Sequence, residues 1–498
     1  MSRRRKTGFL IAWLGASAAA VFAAELNPSN SVPDKMLLLD NLGRTVRVPT
    51  NEISQKLHPP ASIGMKHQTP EPIEGVNLPD DVLLRPEESR AGEVAFQFFP
   101  AVQPRLMPYL ASLDEHGNTA LRPGALTPFV PLEELVQGGK YALSAYGFRY
   151  SLEQTFTGVG LSDVMKGDKS LAYYTIDLKA KWAIFDAPVA GTAGWLSTQI
   201  EAKSGLGTEA TTQDAKSNLG TLTDPTDIWS SINGFRVPEL AWQESLRDGE
   251  IVVVAGMLSQ RNYLDGNAAA HTGRGEFMNS ALIHSQVMPL SQYNFGVNLQ
   301  WQPLDEWYAM LGASAGNASA GNVPWTDFSW QHWSLVGEFG YAPKDFLGLG
   351  PGVYRLQPFV AEKDGPTQGG LCFNLQQHLG PDSPFAWFGR FGFGGSEVTA
   401  DADRQVGTGF VMHAPLQHAG LFPQLSNDLL GVGFVWSQPS ANTKTIYHEN
   451  EYILETFYTL QLTPTIKLQP DLQVVWNPAF NPEAGPATVV QLQLNLAW

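Results

Sequence analysis

Val490-Gln491-Leu492-Gln493-Leu494-Asn495-Leu496-Ala497-Trp498 closes the sequence, and its strict alternation decides the fold. Successive side chains of an extended strand point to opposite faces. Leu492, Leu494, Leu496 and Trp498 therefore share one face, and Gln491, Gln493 and Asn495 share the other. One face suits lipid and the other suits water.

The same arrangement recurs upstream. Ile466, Leu468, Leu472, Val474 and Trp476 oppose Lys467, Gln469, Asp471 and Gln473, and near the start of the series Tyr174, Ile176, Leu178, Trp182 and Ile184 oppose Thr175, Asp177, Lys179 and Lys181. A soluble sandwich also alternates, but its apolar face must find a partner sheet. A continuous series of such strands running from Tyr141 to Trp498 is better explained by a closed barrel in a membrane. The series contains about 16 segments, an even number as in bacterial single-chain barrels. Short turn-forming stretches separate alternate segments at Arg247-Asp248-Gly249-Glu250, Pro303-Leu304-Asp305-Glu306, Gly380-Pro381-Asp382-Ser383 and Thr463-Pro464. The connections between them, such as 204–233 and 260–291, are mostly longer, with exceptions at 415–427 (long, on the short-turn side) and 363–367 (short, on the other). The fold class is all-β: a transmembrane antiparallel β-barrel of about 16 strands preceded by a Pro-rich N-terminal arm. In this register the closing strand pairs with the one near Tyr141, and Trp498 has the character of the terminal aromatic by which outer-membrane barrels are recognised for insertion.

Arg3, Arg4, Arg5 and Lys6, the apolar stretch from Phe9 to Ala20, and Ala23 and Ala24 have the order of a cleaved secretory signal. The chain thus divides into a signal at 1–24, an arm or periplasmic extension at 25–138, and the barrel at 139–498. Pro59, Pro60, Pro70, Pro72 and Pro79 punctuate the arm, which shows no sustained period. Beyond the signal no apolar run reaches the roughly 18 residues of a membrane-crossing helix. The 48 Gly, 26 Phe, 14 Trp and 14 Tyr beside only 16% charged residues suit many short strands. A single cysteine, Cys372, forms no intramolecular disulfide, so closure of a hydrogen-bonded sheet must supply the stability. The net charge of −16 argues against nucleic acid. No Gly-x-Ser-x-Gly elbow, His-Glu-x-x-His helix or phosphate loop is present, and His332, His413, His418 and His448 are scattered. The reading is a non-enzyme without cofactor or metal.

Closure of so many strands leaves a lumen too wide for side chains to fill, lined by the polar parity and open to small solutes. Something folded inward must then set selectivity, and the long segment Arg261 to Ser291 is the candidate, with Arg261, Asp265, Asn267, Arg274, Glu276 and Asn279 as mixed donors and acceptors. Lumen parity adds Arg149, Asp177, Lys181, Glu338, Arg355, Arg390 and Glu455. The competing structural role for these residues is to pair with one another, or to bond the loop itself, and so hold the shape of the wall.

Glu276-Phe277-Met278-Asn279-Ser280-Ala281-Leu282, Tyr354-Arg355 through Pro358, Phe388-Gly389-Arg390-Phe391-Gly392 and Asn450-Glu451-Tyr452-Ile453-Leu454-Glu455-Thr456-Phe457-Tyr458 together resemble the carbohydrate-selective porins of the OprB type. Gln461-Leu462-Thr463-Pro464 and Gln469-Pro470-Asp471-Leu472-Gln473 continue that resemblance, which spans about Tyr141 to Trp498. It implies an outer-membrane barrel of a Gram-negative bacterium, surrounded by outer-membrane lipid and used for passive uptake of glucose and similar small neutral sugars. Arg355, Arg390 and Glu455 lie in its motifs. It leaves monomer and homotrimer open. A general or ion-preferring pore is the alternative, and an arm longer than usual for porins leaves open a tether to the cell envelope.

Overall fold

The computed structural model describes residues 146–497, interrupted at 188–191, 208–212, 229–233, 248, 305, 316–331, 364, 381–382, 399, 423–424, 441–445, 464 and 484, together with 35–39, 45–49, 125–126, 140 and 143. The signal, most of the arm, Trp498 and the central residues of several expected turns (Asp248, Asp305, Pro381, Asp382, Pro464) lie outside the described residues. Within the arm, Lys35–Leu39 and Thr45–Pro49 pair as antiparallel strands. Five residues are too few to show a sustained period, which is why the sequence pattern did not reveal them.

Sixteen strands close into one barrel. They are β1 Phe148–Leu161, β2 Ser170–Ala187, β3 Thr192–Gly205, β4 Gly234–Leu246, β5 Ile251–Leu258, β6 Asn294–Leu304, β7 Trp307–Ala315 and β8 His332–Tyr341, then β9 Gly352–Lys363, β10 Gln368–His378, β11 Phe385–Gly394, β12 Ala402–His413, β13 Leu429–Pro439, β14 Glu451–Thr463, β15 Ile466–Trp476 and β16 Ala487–Ala497. Each pairs antiparallel with its chain neighbours, and β16 closes on β1 through pairs such as Leu492↔Gly158 and Asn495↔Thr155. Closure matters because lipid offers no hydrogen bonds to a free edge.

Parity along the closing strand is as the alternation requires: Leu492 is 54% exposed on the outer wall, whereas Gln491 and Gln493 are buried on the inner one. The first strand begins at Phe148 and not near Tyr141. Gly147 takes φ +75°, a left-handed conformation that cannot continue a strand, and the chain turns there to enter β1. Short connections follow β4, β6 and β14, as the turn residues indicate, and the long one at 414–428 holds a short helix, α3 (Pro415–His418). Two more helices among the described residues lie in the long loops of the opposite side: α1 (Gln213–Leu219) in loop 2, between β3 and β4, and α2 (Ser280–Ile283) in loop 3, between β5 and β6.

The inner wall is not polar throughout, contrary to the simple parity expectation. From β11 to β15 it presents Ala386, Phe388, Val411, Val435, Ile453, Phe457 and Val475, and against them lie Phe277, Ala281, Leu282 and Ile283 of loop 3 in one buried apolar cluster. Phe277 packs on Phe388 and Phe457 with ring centroids 5.2 and 4.8 Å apart. The wall makes room by lacking side chains: a Cβ on Gly433 would stand 2.8 Å from the Phe277 ring and 2.9 Å from Leu282. Loop 3 is thus held in the lumen by the same apolar burial that builds a soluble core.

Phe277→Ala removes the ring at the centre of this seat, a loss of about 3–5 kcal/mol for a buried aromatic. Limited proteolysis of the folded protein is expected to cut within 260–291 in this variant and in Gly433→Val while sparing the parent. Equal resistance of all three would show that the apolar seat does not hold the loop.

Candidate functional site

Loop 3 leaves β5 through a single 3₁₀ turn, Gln260–Asn262, and its neck is closed by the Gln260 N–H donating to Ser291 O at 2.9 Å. Asp265 takes φ +62°, which reverses the chain into the lumen, and the Asn279 side chain caps α2 by accepting from the Ala281 N–H at 3.0 Å. An irregular segment inside a barrel needs partners for its backbone, and inward-facing side chains of the wall supply them.

Arg390 on β11 is the largest such anchor and is 2% exposed. Its guanidinium donates to the carbonyls of Asp265 (3.1 Å), Ala270 (2.8 Å) and Leu282, and Nε lies 3.3 Å from the Asp265 carboxylate. That carboxylate also accepts from Asn374 Nδ2 at 2.6 Å and from the Ser285 N–H at 2.7 Å. Glu338 on β8 accepts from Tyr308 Oη (2.7 Å), Gln357 Nε2 (2.8 Å) and the Asp265 N–H (3.2 Å), with Arg355 Nε at 3.4 Å. Glu455 on β14 accepts from the consecutive N–H groups of Met278 and Asn279. Gln405 on β12 uses both ends of its amide, accepting from the Gln286 N–H and donating to Ala281 O.

Six of the expected site residues (Asp265, Asn279, Glu338, Arg355, Arg390 and Glu455) therefore meet in the fastening between loop 3 and the wall. Asn267 joins them through Asn374, 2.7 Å away, and Glu276 accepts from the N–H groups of His271 (2.7 Å) and Thr272 (3.1 Å) within its own loop. Loop 2, not singled out from the sequence, folds in beside loop 3. Its Asp224 N–H donates to Ser280 Oγ (3.0 Å), its Asp227 N–H to Met278 O (2.8 Å), and its Leu222 N–H to Glu451 (2.7 Å), a β14 carboxylate that also accepts from the Ala479 N–H (2.9 Å). The signal for loop 2 was only its length, because its partners lie far along the chain, Ser280 at 56 residues away and Glu451 at 229 among them. At this junction His284 Nε2 lies 3.3 Å from Asp227. Burial pushes the Asp224 carboxyl up to about 8 against the hydrogen bond from the Thr226 N–H, and burial lowers His284 despite its bond to Asp227, so both are chiefly uncharged at neutral pH.

The remaining expected residues lie across the lumen, on or facing β1 to β4. Glu153, Asp177 and Glu201 form one cross-strand row. Arg274 reaches this row from loop 3, its Nη1 3.2 Å from Glu153 and 3.1 Å from Asp177, while Arg236 Nε donates to Glu201 at 2.6 Å. Gln199 Nε2 donates to Asp177 at 3.0 Å. Arg149 stands opposite Lys181 in register, and the Lys181 ammonium lies 4.3 Å from the Trp195 ring centroid. Arg261 is partly exposed, its guanidinium 4.0 Å from Asp227. Opposite the apolar seat, then, loop 3 and the β1–β4 wall meet through paired charges and amides. Guanidinium, carboxylate and amide groups set side by side have the donors and acceptors to exchange hydrogen bonds with a hydroxyl-bearing solute.

The sequence model described as "Carbohydrate-selective porin, OprB family" matches residues 190–369 and 363–497. Among curated relatives, Porin AaxA of Chlamydia felis is 27% identical over 259 residues, 50% of this chain and 55% of that protein, and Porin AaxA of Chlamydia pneumoniae is 24% identical over 64% of this chain and 70% of that one. The chain thus matches little more than half the length of the first of these relatives. Of solved structures, that of Pseudomonas putida OprB at high pH superposes with a TM-score of 0.58 at 15% identity, covering 74% of this chain and 96% of that one, a likeness of fold.

Arg390→Gln leaves Asp265 buried without its charge partner and the Leu282 and Ala270 carbonyls without a guanidinium donor, a loss of about 3–5 kcal/mol. Single-channel recordings are expected to show a larger, noisier conductance in this variant, with Arg390→Lys intermediate because an ammonium lacks the planar fork. Unaltered conductance in Arg390→Gln would mean that the loop is held without the guanidinium.

Proposed function

The chain belongs to the OprB family of carbohydrate-selective porins, proteins of the outer membrane, and from that premise we propose that it is a passive channel for small neutral sugars such as glucose, and not an enzyme. The observation that carries this reading is the junction of loop 3 with the β1–β4 wall, where Arg274 stands beside Glu153 and Asp177 and Gln199 beside Asp177. A sugar hydroxyl both donates and accepts, and adjacent guanidinium, amide and carboxylate groups offer it both. Because each charge there is already paired, an uncharged polyol can exchange bonds with the wall without leaving an ion stranded. Of the expected residues, Arg149, Asp177, Lys181 and Arg261 are those we assign to the solute path. Asp265, Asn279, Glu338, Arg355, Arg390 and Glu455 act through the position of the loop.

Proteoliposomes holding the full chain are expected to swell in neutral monosaccharides faster than protein-free vesicles, and progressively less in larger oligosaccharides. Swelling no faster than protein-free vesicles would overturn the sugar-channel reading.

A further inference from the structure

The connection between β8 and β9, on the side of the short turns, is a folded knuckle laid against the outer face of the barrel. Its backbone closes on itself and on the strand ends. The Phe346 N–H donates to Gly350 O (3.0 Å), the Leu349 N–H to Phe346 O (3.0 Å) and the Gly352 N–H to Pro343 O (3.2 Å), Asp345 Oδ1 accepts from the Gly350 N–H at 2.8 Å, and the Gly380 N–H donates to Leu349 O at 2.8 Å. Two contacts fix it to the outer side. Asn374 and Gln376 on β10 face inward and bond loop 3, so Gln377 faces outward, and its Nε2 donates to Gly350 O (3.2 Å) and Pro351 O (3.3 Å) of the knuckle. Tyr354 on β9 alternates in the same way with the inward-facing Arg355, and Phe346 packs on its ring with centroids 4.8 Å apart. From Tyr354 the rings continue across the wall to Tyr341 at 6.4 Å, and from Tyr341 to Trp307 at 4.4 Å.

At the tip of the knuckle Leu347 is 85% exposed and takes φ +55°, a left-handed conformation uncommon for a residue with a side chain of this size, and Leu349 is 40% exposed. A lone exposed leucine on a soluble surface needs no explanation. These two, however, extend an aromatic ribbon on a wall that faces lipid, and the knuckle lies back against that wall at the level of Tyr354. We propose that Leu347 and Leu349 dip into the periplasmic leaflet of the outer membrane, making the knuckle a phospholipid-binding foot on the β7–β10 flank. The aromatic girdle of a barrel marks the depth of the membrane interface, and it is built from strand residues; here a connection beyond the strand ends adds side chains at that depth. Burial among acyl chains removes both leucines from water, and the internal bonds of the knuckle hold them in place for it. The inference rests on placement in the outer membrane and not on which solute the pore passes.

Leu347→Cys carries the test, because Cys372 is buried and leaves the new thiol as the one open to a maleimide. The purified protein, labelled at residue 347 with an environment-sensitive fluorophore, is placed in nanodiscs of phosphatidylethanolamine and phosphatidylglycerol holding one barrel each, so that a second copy cannot shield the label. Blue-shifted emission is expected, most of it lost when nitroxide-bearing phospholipid is included and little of it lost to iodide. Arg247→Cys, at a left-handed position on the β4–β5 turn where the arginine side chain is 71% exposed, is the water-facing reference and should give the opposite pattern. Iodide quenching at 347 as strong as at 247 overturns the proposal. So does emission that neither quencher reaches, the result of a tip covered by protein. Either result leaves the sugar-channel reading standing. If Leu347→Cys fails to assemble, Leu349→Cys decides by the same two quenchers.

Discussion

Backbone groups carried into a barrel must find hydrogen-bond partners there, and most of this structure follows from how loops 2 and 3 find theirs. The partners are side chains of the wall: Arg390 for three carbonyls, Glu455 for two N–H groups, Glu451 for one N–H from each of two loops, and Gln405 for one donor and one acceptor. Charged groups suit the task because a charge-assisted bond is stronger than a neutral one. Their burial is tolerable only because each meets several partners, as Asp265 does with Arg390, Asn374 and Ser285. The insert is in effect a second folded unit whose scaffold is the inside of the first.

The interior is asymmetric as a result. On one side, glycines and apolar residues from β11 to β15 receive Phe277, Leu282 and Ile283 and exclude water. On the other, β1 to β4 carry charges and amides on the inner wall, where Arg274 of loop 3 meets them. The first side provides rigidity and the second provides chemistry, so the two demands on a selective pore, a fixed aperture and a hydrogen-bonding lining, fall on different strands.

Much of the outer architecture was legible in the sequence, because lipid imposes a strict rule on every second residue of β2, β15 and β16 and because the short links around 247–250, 303–306 and 463–464 carry turn-forming residues such as Gly249, Pro303 and Pro464. The start of β1 was misplaced because alternation alone does not weigh the left-handed backbone of Gly147. The interior was less legible for a different reason. Gly433 reads as an unremarkable strand glycine, and its meaning lies in Phe277 and Leu282, loop side chains packed over it from more than 100 residues away, while Gly431 and Gly409 leave room for the rings of Phe457 and Phe388 on the wall itself. Arg390 and Glu455 have the right parity to face the lumen, yet parity cannot tell a residue that meets solute from one that grips a loop. Loop 2 gave no sign of its inward fold beyond its length.

The chain's one cysteine permits a direct test of whether loop 3 is docked on the wall. Cys372 Sγ on β10 lies 3.5 Å from Ser285 Oγ on the loop, close enough for a disulfide after small adjustment if residue 285 were also a cysteine. In Ser285→Cys, mild oxidation in native outer membranes followed by mass spectrometry of the linked peptides is expected to show near-complete cross-linking with conductance unaltered, since the loop already rests there. Little cross-linking in protein that has assembled normally would contradict a loop fixed against the wall.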